Sequence, residues 1–191
     1  MTSTKEKIIE AVIETLSENF NYDEFSMSKI AEKVGIGKST IYEYFDSKSD
    51  LLIETIKGIV DLYIKQILIH DLTSLNFHDA FVMQILNIIE CDFNKNAVFH
   101  IFTQLDLVVK VKEKEIKEKM EDAKKKVLER FAYIFHKGVE EKIITASYDA
   151  KTEALISGLL STMICRQINN SIGTNEEIAE YLYNVVVKIL N

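Results

Sequence analysis

The chain has 191 residues and a formal net charge of −7; hydrophobic residues make up 47% of it, it has six glycines, and proline is absent. That apolar content is enough for a sizeable core, and so few helix breakers leave long helices uninterrupted. No run approaches the ~18 apolar residues of a spanning helix, the MTSTKEKIIE start lacks the apolar stretch of a signal peptide, and alternating β-branched strands are missing, so a cytoplasmic all-α protein is predicted.

Ser3 and Glu6 have capping-box spacing, and Ile8, Ile9, Val12, Ile13, Leu16 and Phe20 then form a helical apolar face, predicting a helix over about 4–20. Phe25 closes a small core. Ser26 is a plausible N-cap, and Met27, Ile30, Ala31 and Val34 fall at i, i+3, i+4 and i+7. Gly35 stands where a stopping helix wants a residue free to take positive φ, and Ile36 can pin the turn from inside. Lys38–Tyr44 reads as a second short helix, with Ile41 and Phe45 pointing inward and Lys38, Ser39, Thr40, Tyr42 and Tyr44 left for other faces. Two short helices around a glycine-containing turn make a helix-turn-helix, here at about 26–45.

Ser47 and Asp50 form an acidic variant of the capping box for a helix over about 48–70. Its apolar arc of Leu51, Leu52, Ile56, Ile59, Val60, Tyr63, Ile64 and Ile67 is wide enough to pack against two bodies. Lys48 in its first turn opposes the helix dipole. A cation there makes sense if a phosphate lies against that terminus.

Helices over about 78–91 and 95–108 follow. Residues 110–130 hold nine Lys and Arg against six Asp and Glu. The spacing Glu113–Lys117, Glu115–Lys119, Glu121–Lys125 and Asp122–Lys126 predicts i, i+4 pairs on the solvated face of a long helix, docked inward by Val127, Phe131, Ile134 and Phe135. Gly138–Ser147 reads as a connection. In a helix over about 150–171, capped by Asp149, the small residues Gly158, Ser161, Thr162 and Cys165 form a stripe that lets another helix approach closely. Thr174 and Glu177 make a capping box for a terminal helix with Ile178, Leu182, Val185, Val186 and Ile189 on one face. That helix is apolar nearly all round, so it must be buried on more than one side. A dimer, with two helices from each chain in a four-helix bundle, is the economical explanation. In all, about nine helices are expected. They divide into a helix-turn-helix domain, 1–47, and a helical ligand-binding and dimerisation domain, 48–191.

Catalytic chemistry finds little support. GIGKST at 35–40 invites a phosphate-loop reading, but the first glycine of that motif would fall at Glu32, and a helix precedes it rather than a strand. The four histidines lack ligand spacing, CxxC is absent, and so is the G-x-S-x-G nucleophile elbow. Cys91 and Cys165 read as buried thiols. No catalytic residue, metal or cofactor is expected.

The segment IAEKVGIGKSTIYEYFDSKSDLL resembles the DNA-binding segment of the TetR family of bacterial transcriptional regulators. The resemblance is carried by Ala31, Gly35, Ser39, Thr40, Tyr42, Tyr44, Phe45, Lys48, Leu51 and Leu52 and covers roughly residues 4–55. It implies a homodimeric repressor that binds a pseudo-palindromic operator, dimerises through its last two helices and is released by a small molecule. Lys38, Ser39 and Thr40 would face base edges. By resemblance Ser28, Tyr42, Tyr44 and Lys48 would contact the backbone. Tyr63, Phe81, Phe99, Phe102, Phe131 and Met163 could line a cavity for a largely apolar ligand. The acidic charge pulls the other way: residues 1–48 carry six Lys against nine Asp and Glu, although Lys29, Lys33, Lys38 and Lys48 cluster in the motif. An all-α interaction module without a DNA role is the alternative.

Overall fold

The computed structural model describes residues 3–19, 25–91, 113–145, 150–170 and 172–191. Among them are eight helices and no strand: α1 (Thr4–Asn19), α2 (Met27–Val34), α3 (Lys38–Tyr42), α4 (Lys48–Ile67), α5 (Phe77–Ile89), α6 (Glu113–Glu140), α7 (Ala150–Asn170) and α8 (Asn175–Ile189). The all-α expectation holds. The helix expected over 95–108, the cap at Asp149, and Phe99 and Phe102 lie outside the described residues. No described helix is long and apolar enough to cross a membrane. The chain divides into two compact units, Met1–Tyr63 with Asp92–Ala123, and Ile64–Cys91 with Lys124–Asn191.

In the first unit the predicted caps form. Ser3 Oγ accepts from Glu6 N–H at 3.2 Å while Ser3 N–H donates to Glu6 Oε2 at 2.7 Å. Ser26 Oγ accepts from Lys29 N–H at 3.2 Å, starting α2. Gly35 has φ 75°; its N–H reaches Glu32 O, and Ile36 N–H reaches back to Ala31 O. This is the Schellman closure that a left-handed residue permits. α1, α2 and α3 then enclose Ile8, Val12, Phe25, Met27, Ile30, Ala31, Ile41 and Phe45, with Leu51, Leu52 and Ile56 from α4 and Ile116 from α6.

The expected pairing within α6 is corrected at Glu115, Lys119 and Lys125, the last lying 3.8 Å from Glu129. Glu115 receives Lys57, and Lys119 pairs with Asp61, so both reach across to α4. A partner on a packed neighbour competes with one turn of the same helix, and periodicity along one segment cannot see it.

In the second unit α8 packs against α5 and α7. Phe77, Phe81, Phe131, Phe135 and Tyr183 form an aromatic cluster with ring centroids 5.4–6.4 Å apart. Such edge-on and tilted contacts add to the burial of each ring. Asn76 caps α5 by accepting from Asp79 N–H at 2.9 Å, and the Glu141 carboxylate accepts from Phe77 N–H. The α8 capping box forms between Thr174 and Glu177. A second correction concerns Gly138, read from sequence as the start of a connection. α6 runs through it to Glu140 and ends in another Schellman closure, with Lys142 at φ 58° and Ile143 N–H on Gly138 O. A Cβ at Gly138 would lie 3.0 Å from the Phe77 ring. The glycine is there for close approach, not to break the helix.

Candidate nucleic-acid interface

Everything expected of the motif depends on how α3 is held. Ile41 and Phe45, four residues apart, are both fully buried in the first unit. That spacing turns one face of the segment into the core. Gly37 precedes α3 with extended backbone and no side-chain cap. The helix is five residues long, two shorter than expected. It closes through Glu43 N–H and Tyr44 N–H onto the carbonyls of Thr40 and Ile41, before Phe45 N–H returns to Ile41 O. The tightened last turn still brings Phe45 inward.

The outward residues are those read from the sequence. Lys38 and Ser39 are exposed and Thr40 is half-buried; Tyr42 and Tyr44 are 46% and 41% exposed. Ser28 is exposed in the first turn of α2. Glu43 is exposed as well, so a carboxylate shares this segment. The cluster of four lysines expected here is reduced: Lys33 turns to α1, with its ammonium 3.2 Å from Glu14 and 3.5 Å from Thr15 Oγ1.

Lys48 begins α4 and is half-buried. Its ammonium lies 5.6 Å from the centroid of the Phe25 ring. A cation over an aromatic face gains ~0.5–1 kcal/mol at exposed sites, comparable to the ~0.3–1 kcal/mol a charge gains or loses against a helix terminus. The ring therefore offsets the dipole. Ser47 Oγ accepts from Asp50 N–H at 3.1 Å, and the Asp50 carboxylate reaches back to Asp46 N–H at 3.1 Å rather than closing the box on Ser47 alone. Lys5 makes a similar stack, 5.5 Å from the Phe45 centroid, and pairs with Glu54 at 3.6 Å. Sequence reasoning missed both stacks, because nothing local relates residue 25 to 48 or 5 to 45.

The other expected sites fall as follows. Phe81 and Phe131 share the aromatic cluster of the second unit, with centroids 6.3 Å apart. Met163 on α7 is half-buried in that unit, and Tyr63, also half-buried, belongs to the first. Of the residues expected at a dimer seam, Ile178, Leu182 and Val186 are buried within the second unit itself, and Val185 and Ile189 are half-buried. Gly158, Ser161 and Thr162 are exposed, alongside Leu155 at 59% and Tyr181 at 55%. The side chain of Cys165 lies outside the described residues. Cys91 is buried as a thiol and not as half of a disulfide. Among the described residues no group of three or more His, Cys, Asp and Glu could hold a metal ion.

Residues 8–55 match the family model described as bacterial regulatory proteins, tetR family. The fatty acid metabolism regulator protein of Bacillus subtilis (strain 168) is 38% identical over 60 residues, which is 31% of this chain and 30% of that protein. The match therefore spans under a third of that relative. Among solved structures, a TetR family protein from Vibrio parahaemolyticus superposes with a TM-score of 0.72 at 16% identity, covering 98% of both chains. The regulator FadR from Bacillus subtilis, solved in complex with stearoyl-CoA, gives 0.67 at 23% identity, covering 97% of this chain and 98% of that one. These structural likenesses extend the shared fold over the whole chain.

Proposed function

We propose, from the premise that this chain carries the TetR-family N-terminal domain on the TetR-family fold, that it is a sequence-specific DNA-binding transcriptional regulator acting as a homodimer in the cytoplasm. The observation that carries this reading is the outward set Lys38, Ser39, Tyr42 and Tyr44, held on a short helix by buried Ile41 and Phe45. Such a helix enters the major groove with its N-terminal residues toward base edges. Lys38 donates to guanine O6 and N7, Ser39 and Thr40 reach bases or phosphate, and the Thr40 methyl meets a thymine methyl. Ser28, Tyr42, Tyr44 and Lys48 hold the backbone and set the register.

Two copies, presented ~34–36 Å apart, read successive major grooves of a pseudo-palindromic site. The exposed stripe of Gly158, Ser161 and Thr162 and the half-buried Val185 and Ile189 support pairing through α7 and α8. Repression ends when a small, largely apolar ligand favours a dimer geometry that no longer fits that spacing. The relative solved with stearoyl-CoA makes long-chain acyl-CoA thioesters, apolar in the acyl chain and anionic in the coenzyme, the class to try first.

Fluorescence anisotropy on the DNA upstream of the protein's own gene tests this. Saturable, salt-dependent binding that competitor DNA does not abolish, released by an acyl-CoA, is the expected result. Equal affinity for unrelated DNA would remove the sequence-specific reading.

A further inference from the structure

We propose that Phe25 is a positioning residue for DNA binding: its ring face holds the Lys48 ammonium at the first turn of α4, where the lysine meets a phosphate. The inference rests on the reading of the chain as a DNA-binding regulator. Phe25 directly precedes the N-cap of α2 and is 4% exposed, one of the core residues of the first unit. The Lys48 ammonium lies over its ring.

A lysine side chain has four rotatable bonds, and at the first position of a helix the dipole pushes its charge away. Every position such a side chain samples has to be given up on binding. An aromatic face attracts the ammonium through its quadrupole. The ring itself carries no opposing charge, so this contact places the cation without neutralising it. An aliphatic residue at position 25 would fill the core but supply no attraction.

A double-mutant cycle on operator DNA tests this with the full-length protein. Phe25→Leu is expected to weaken binding about threefold to tenfold. In a Lys48→Ala background the same change is expected to weaken it less than about twofold. Phe25→Tyr keeps the ring and is expected to bind within about twofold of the unsubstituted protein. An equal loss from Phe25→Leu in both backgrounds would overturn the inference, because Phe25 would then act through packing alone.

A second measurement does not depend on the variants folding. In the unsubstituted protein the ring current of Phe25 should shift the Lys48 ε-methylene protons upfield in NMR spectra; unshifted protons would also overturn the inference. A protein that binds operator DNA without the coupling removes only the role of Phe25. A protein that shows the upfield shift yet binds no DNA removes the regulator reading, and this inference with it.

Discussion

Arg130 Nε donates to Gln84 Oε1 at 3.0 Å, and Gln84 passes the connection on, its Nε2 donating to the Ile67 carbonyl at 3.2 Å. Gln84 is fully buried, so both ends of its amide must be satisfied from within. Arg130 also donates to the His70 carbonyl, and Lys137 Nζ donates to the carbonyls of Thr73 and Leu75 at 3.0 and 2.7 Å. The last carbonyl of α4 is thus held by a side chain from α5, and the carbonyls after it by side chains from α6. Arg130→Leu would strand the Gln84 carbonyl oxygen and should cost about 1–3 kcal/mol in urea unfolding. Gln84→Leu on top of it should cost less than Gln84→Leu alone, because the partner is already gone. Additive losses would contradict this connection.

His78 should make stability depend on pH. Its Nδ1 lies 2.9 Å from Asp79 Oδ1 and its Nε2 lies 2.9 Å from Glu180 Oε2, tying α5 to α8, with the Tyr183 ring against it. Both nitrogens can donate only in the imidazolium. The hydrogen bond to Asp79, then that to Glu180, raises its pKa above the ordinary histidine value, against a smaller opposing effect of burial. A raised folded value means the stabilisation is complete below the unfolded pKa and is lost as pH rises through the folded one. The side chain is 39% exposed, so solvent screening keeps the effect small. Urea midpoints should fall modestly between about pH 6 and about pH 8, and His78→Gln should flatten that slope.

Gly138→Ala should destabilise the second unit. An alanine gains up to ~1 kcal/mol of helix propensity, but its Cβ would meet the Phe77 ring at 3.0 Å. That ring is locked among Phe81, Phe135 and Tyr183. Overpacking of this kind costs about 1–3 kcal/mol, so a lowered thermal midpoint is expected and an unchanged or raised one would show that the ring can yield.

Gly158 gives the contrasting case. It lies mid-helix in α7, exposed, with nothing within 4 Å of an added Cβ. Gly158→Glu should therefore leave the helical circular dichroism intact. If two copies meet along this stripe, a charge there lowers the dimer fraction in sedimentation velocity. An unchanged dimer would move the seam elsewhere.

Much of the first unit is legible in the sequence because its determinants are local. The Ser3–Glu6 box, the Ser26 cap, Gly35 in its left-handed turn and the Ile41–Phe45 spacing are each set within a few residues, and each stands in the structure as the pattern predicts. What could not be read is set by residues distant in the chain. Gly138 looks like a break until Phe77 is beside it. Glu115 and Lys119 suit each other on paper until α4 offers Lys57 and Asp61. The apolar face of α8 reads as a surface for a partner chain, but Ile178, Leu182 and Val186 are already buried in their own unit. Phe25 and Lys48 carry no sequence signal for their contact.

Lys48→Ala decides whether the exposed face around α3 and the start of α4 grips DNA. Binding of the unsubstituted and substituted proteins to the upstream DNA is measured by anisotropy across a range of salt concentrations, beside Lys38→Ala. A backbone contact by Lys48 predicts weaker binding to every sequence and a salt dependence flatter by about one unit, whereas Lys38→Ala relaxes base preference. An affinity and a salt slope both unchanged by Lys48→Ala would contradict it.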